Sequence, residues 1–113
     1  MTQQEKQLLL RDLCARLPYY TELYSNVADG NWAILTPVVI SNLMNATDKL
    51  VIKPYLRPMS SMTEEEEIYY NTVYYTLNFY KKEDWLNEHH FDYRGLIPMG
   101  LALEAPKDIY KTE

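Results

Sequence analysis

The run from Asp84 to Ile97 gathers the densest set of large and chemically distinctive side chains in the chain, and the rest of the fold has to be organised around it. Trp85, Leu86, Phe91, Tyr93, Leu96 and Ile97 can bury much apolar area, since one aromatic side chain alone buries on the order of 150–250 Å². His89, His90, Asp92 and Arg94 stand among them. Polar groups in such company serve as caps, as ion pairs or as a site, because an unpartnered buried charge is costly.

At 113 residues the chain supports one hydrophobic interior, read as an α/β lobe over residues 1–60 and a helical lobe over 61–113 that share it. Eleven Tyr, two Trp and two Phe against only three Gly point to semi-polar side chains packed at lobe boundaries or at a partner surface. The net charge of −5 arises in the second half: residues 1–60 hold six Lys/Arg and five Asp/Glu, residues 61–113 five and eleven. No basic field is available to attract phosphate backbones, so general nucleic-acid binding is disfavoured. A single Cys cannot form an intrachain disulfide, and the polar start Thr2-Gln3-Gln4-Glu5-Lys6 is unlike a secretory leader. No apolar run approaches the roughly 20 residues that span a bilayer, so a soluble cytoplasmic protein without a membrane segment is expected.

Thr2-Gln3-Gln4-Glu5 has the form of a capping box and predicts a helix start. Leu10, Leu13, Cys14 and Leu17 then recur at helical spacing, which places Cys14 in the apolar stripe as a small buried side chain, and Pro18 ends the helix. Tyr19–Ser25 and Trp32–Leu35 read as a hairpin around Asp29-Gly30. Thr36-Pro37 opens a short helix ending near Asn45, with Thr as its cap and Pro at the first helical position. Leu50-Val51-Ile52 is a third strand that leaves the sheet, or runs along its edge, at Pro54, which has no amide hydrogen to donate.

A second capping box, Thr63-Glu64-Glu65-Glu66, leads into a first turn of four glutamates, where the helix dipole favours negative charge. From Ile68 to Tyr80 the pattern fits both periods, Tyr70, Val73, Tyr74 and Leu77 as a helix stripe and Val73, Tyr75, Leu77 and Phe79 as an alternating strand. The capping box and the absence of turn residues decide for helix. Lys81–His90 continues as helix, Asp92 caps a short last helix over Tyr93–Ile97 with Gly100 at its exit, and Leu101–Leu103 lies extended over the core. Ile109 and Tyr110 pin the tail. The fold expected is α+β: an N-terminal helix and a sheet of about three strands beside a C-terminal helical lobe, meeting near Met59–Thr63. Leu10, Leu13, Leu17, Trp32, Ile52, Val73, Leu77, Trp85, Leu86, Leu96 and Ile97 form its core.

Three stretches, Asp12–Tyr19, Lys53–Thr63 and Asp84–Pro106, together resemble a family of small uncharacterised proteins from gut Bacteroides-type bacteria and their phages or integrated elements. They cover somewhat over a third of the chain. The resemblance implies a setting and supplies no catalytic residues.

Adjacent His89 and His90 point about 100° apart on a helix, unlike the i, i+4 pair of a zinc helix, so no metal site is expected. Asp84, Glu88 and Asp92 share a helix face as a solvated ridge. There is no nucleophile elbow and no phosphate-cradling glycine motif, so neither an enzyme nor a cofactor is expected. Lys49, Lys53 and Arg57 around Tyr55 form a small basic segment that could contact single-stranded nucleic acid, the alternative reading. The reading preferred is a non-enzymatic accessory or regulatory protein that binds another protein. Tyr, Trp and Arg are the usual interface anchors, which selects Tyr55, Arg57, Trp85, Tyr93 and Arg94. The competing structural reading puts Trp85 and Tyr93 in the core and pairs Arg94 with Asp92 or Glu88.

Overall fold

Among the described residues, four α-helices and a four-stranded mixed sheet make an α+β fold. The computed structural model describes residues 1–46, 49–76, 79–107 and 109–110, with the side chains of residues 73–76 and 79–81 outside that description. Helix α1 (Gln3–Arg16) begins at the predicted capping box: Glu5 N donates to the Thr2 hydroxyl at 3.0 Å while the Glu5 carboxylate accepts from Thr2 N at 2.7 Å. Pro18 ends it in a single 3-10 turn, Leu17–Tyr19. The face that α1 buries is not the predicted one. Leu9, Asp12, Leu13 and Arg16 are buried, a stripe turned by one residue from Leu10, Leu13, Cys14 and Leu17, and Cys14 is exposed. An ion pair between Asp12 and Arg16 takes two core positions that an apolar count assigns elsewhere.

The strands are β1 (Glu22–Ser25), β2 (Trp32–Ile34), β3 (Ile52–Leu56) and β4 (Leu103–Glu104), in spatial order β2-β1-β3-β4. β1 runs antiparallel to β2 and β3, and β4 adds parallel to β3. Leu101–Leu103, expected as an extended strip, thus ends in a fourth strand. β3 is an interior strand with buried Pro54 in its middle, where the sequence placed an edge or an exit. The geometry explains the tolerance. The Leu56 carbonyl accepts from Ala105 N on the β4 side, and by two-residue alternation the Pro54 nitrogen faces that same side, ahead of the point where β4 begins opposite Tyr55. No ladder bond is lost there.

Leu23, Ile52, Pro54 and Leu56 point to the inner face of the sheet. Helix α2 (Pro37–Met44), capped by Thr36 as predicted, packs with α1 over that face. Leu9, Leu13, Leu23, Leu35, Ile40, Leu43, Ile52, Leu56, Leu96, Leu101 and Ala102 form one core. Each fully buried leucine contributes roughly 1.5–3 kcal/mol.

Residues Glu64–Thr76 form α3, so the helical period prevails. Thr63 and Glu66 complete its capping box, at 3.2 and 2.9 Å. α4 (Phe79–Glu88) ends in a Schellman motif: His90 N donates to Asn87 O, Phe91 N donates to Leu86 O, and His90 takes the left-handed position at φ 64° that glycine usually fills. The predicted last helix over Tyr93–Ile97 is absent. Gly95 turns the chain at φ 77°, and the Asp92 carboxylate reaches past the usual capping positions to accept from Leu96 N and Ile97 N at 2.8 and 2.9 Å. Asp92 clamps a loop.

Of the predicted core, Leu13, Ile52, Leu86 and Leu96 are buried, whereas Leu10, Leu17, Trp85 and Ile97 are half-buried at its margin. Trp32 is 40% exposed, on the outer face of the sheet. The side chains of Val73 and Leu77 lie outside the described residues.

Candidate functional site

Four of the five predicted anchors are knitted into one internal cluster around Phe91. The Phe91 ring stacks at 5.8 Å from Trp85 and carries the Arg57 guanidinium at 4.2 Å above it. Arg57 is held there by two backbone bonds, its N donating to His90 O and its O accepting from Asp92 N. Its guanidinium forks onto Glu66 at 2.6 and 2.8 Å. That bidentate pairing draws the Glu66 carboxyl down to about 2, chiefly through the Arg57 hydrogen bonds, with Thr63 adding to it against the opposing effect of burial. Trp85 also meets Tyr69, Tyr70 and His89.

Beneath this lies a charged network. Arg16 donates to Asp12 at 2.8 and 3.0 Å and to Phe91 O at 2.7 Å, with both side chains fully buried. Arg94 joins Asp12 from the other side at 3.1 Å, a partner 82 residues away in place of the Asp92 or Glu88 suggested by sequence. Arg94 also donates to the Tyr93 hydroxyl, which donates to Asn87 at 3.0 Å. These side chains fix the loop after α4 to α1.

Tyr55 stands apart from the other four. It projects from the outer face of the sheet and stacks on Trp32, ring centroids 4.9 Å apart, across the intervening strand β1. Trp32 donates its indole N–H to Glu22 at 3.0 Å. Alternation sets Tyr24, Lys53 and the half-exposed Ile34 on that same face, with Tyr24 directly beside both Trp32 and Lys53 in register. Of the basic segment, Lys53 lies here, Lys49 is exposed at the strand's approach, and Arg57 is committed to Glu66.

Where β1 begins and β3 ends, a cleft of about 800 Å³ is lined by Tyr19, Tyr20, Arg57, Glu66, His89 and His90, with Tyr110 closing it. His90 stacks on Tyr110 and sits 3.3 Å from the Thr21 hydroxyl. Burial, then the positive charges of Arg16, His89 and Arg57, push His90 down to about 4, and burial pushes the Tyr110 hydroxyl well up. Among the described residues no group of three or more His, Cys, Asp and Glu could hold a metal ion, and no helix is long and apolar enough to cross a membrane.

The sequence places Trp32 in the core, whereas the structure exposes it, and names Tyr110 as a pin for the tail, which it is, without showing the two strands that its hydroxyl bridges. The signal for Trp32 was its alternation with Ile34 in a strand whose inward residue, Ala33, is small. No family model, curated protein or solved structure matches the chain.

Proposed function

We propose that the chain is a small non-enzymatic accessory or regulatory protein that binds another protein through the outer face of its sheet. The observation that carries this is the Trp32–Tyr55 stack, a rigid aromatic pair on a face where Ile34 is half-exposed. Trp and Tyr offer large contact area at small entropic cost, which is why they recur as interface anchors. Arg57, Trp85, Tyr93 and Arg94 are engaged within the chain, in contacts that hold the loop after α4, which leaves Tyr55 as the predicted anchor on this face. The resemblance noted in the sequence suggests the cytoplasm of a gut bacterium carrying phages or integrated elements as the setting.

Lys53 beside three aromatic rings on an open sheet also suits stacking of single-stranded nucleic acid. The carboxylate of Glu22 under the stack argues against it. Affinity purification of the tagged chain from its host should recover one stoichiometric protein, and the double variant Trp32→Ala, Tyr55→Ala should lose it while keeping its circular dichroism. Retention by the folded double variant would remove this face as the site. Recovery of nucleic acid at moderate salt, with a steep salt slope, would favour the alternative.

A further inference from the structure

The two rims of the sheet are finished differently. β4 is two residues long, carries Glu104 and runs into Ala105-Pro106, all of which discourage further pairing. β2 has the sequence Trp-Ala-Ile, with no charge, no proline and no bulge. Leu35 N donates to Thr21 O at 2.8 Å, so Leu35 and Ala33 direct their backbone groups inward to β1. By alternation the N–H and C=O groups of Trp32 and Ile34 face outward, away from the sheet.

We infer that β2 pairs with β2 of a second copy of this chain, antiparallel about a two-fold axis at Ala33. In that register Trp32 lies opposite Ile34 of the partner copy and Ile34 opposite Trp32 of the partner copy, each pair exchanging both of its backbone bonds. The pairing is self-complementary in side chains as well. Each Trp meets an Ile on the outer face, an aromatic–β-branched pair of the kind that stabilises antiparallel strands, and the small Ala33 permits the close approach needed at the axis.

Charge selects a second copy. Two molecules of net charge −5 repel wherever their acidic surfaces meet, yet Gly30–Ala46 contains no Lys, Arg, Asp or Glu in a chain that is 24% charged. That neutral stretch supplies β2 and the exposed Val38, while exposed Val27 precedes it. Antiparallel pairing brings the Val27 end of one strand to the Val38 end of the other. The product is one continuous sheet across both copies. The inference goes beyond the proposed function: its backbone pairing is made at the rim, although Trp32 and Ile34 belong to the outer face as well.

Sedimentation equilibrium of the full chain over a range of concentrations should show twice the 13.4 kDa mass. Ile34→Pro removes an outward N–H without touching the ladder to β1, and Ile34→Lys adds a charge to the rim; both variants should sediment as monomers. Should either fail to fold, amide exchange on the unaltered chain decides. Trp32 and Ile34 amides should gain protection of at least tenfold as concentration rises. A chain that stays monomeric at millimolar concentration, a dimer unaffected by both folded variants, or rim amides that exchange freely at every concentration would overturn the inference.

Discussion

The ring of Tyr110 lies on that of His90, centroids 3.7 Å apart and planes 13° from parallel. The stack sets the Tyr110 hydroxyl between Glu22 and Tyr55, just beyond the last paired residues, Leu23 and Pro54, of the β1–β3 ladder. It accepts from Glu22 N at 2.8 Å and lies within hydrogen-bonding distance of Tyr55 O, at 2.7 Å, and of Glu22 O, at 3.1 Å. A single side-chain oxygen therefore bridges two strands.

Tyr110→Phe tests that bridge with the stack preserved. It leaves a backbone donor and an acceptor without their partner, and the cost expected is about 1–3 kcal/mol in urea-denaturation midpoints at constant m-value. A change below about 0.5 kcal/mol would mean that water replaces the hydroxyl freely.

His90 and Glu66 titrate in separate windows. The folded protein holds His90 at about 4, below its ordinary 6.5, so the unfolded chain binds the extra proton first as pH falls. Stability is full above about 6.5 and drains away down to about 4, by up to about 3 kcal/mol at 1.36 kcal/mol per unit. Glu66, lowered from 4.5 to about 2, contributes above about 4.5 and is lost below that. His90→Asn keeps a residue that tolerates left-handed backbone and removes the titration. It should flatten the stability profile between pH 6.5 and 4 and leave the acid limb below 4.5 in place.

Much of the architecture was legible because local signals agreed. Both capping boxes, Thr36-Pro37 and Asp29-Gly30 each mark the element they announced. What was not legible has two physical sources. Apolar periodicity is blind to buried ions, so it sets the α1 stripe one residue out, with Asp12 and Arg16 hidden inside the true one. Long-range partners leave no local trace either: Arg94 finds Asp12 across 82 residues, and Tyr110 enters the sheet 88 residues from Glu22. The candidate face was legible only in Tyr55. Trp32, listed with the predicted core, lies on the outer face because it alternates with the inward Ala33 in β2.

The turned stripe leaves Cys14 on the surface of α1, which makes a direct check. The native protein should react with one equivalent of a thiol reagent per chain, at a rate within about threefold of the denatured protein. Protection by several orders of magnitude would return Cys14 to the core and undo the observed orientation of α1.

Asp12 is the point on which the buried network turns. It is fully buried, and among the described residues it is the carboxylate that pairs with Arg16, also fully buried, while sharing Arg94. Among the described residues, Nη1 of Arg16 has no hydrogen-bond partner, so the charge relies on Asp12 for compensation. Removing one member of such a pair strands the other charge, and Asp12→Asn should cost about 3–5 kcal/mol. Replacing both members changes the sign of the argument, because well-packed apolar side chains avoid the desolvation that the ions incur. The double variant Asp12→Leu, Arg16→Met should therefore be more stable than Asp12→Asn alone, even though Phe91 O loses the donor it takes from Arg16 and the partly exposed Arg94 loses its carboxylate, as it does in part in the single variant. Urea denaturation of the three proteins checks the order. A double variant less stable than the single one would show that the Arg16 bond to Phe91 O, rather than charge compensation, secures the loop after α4.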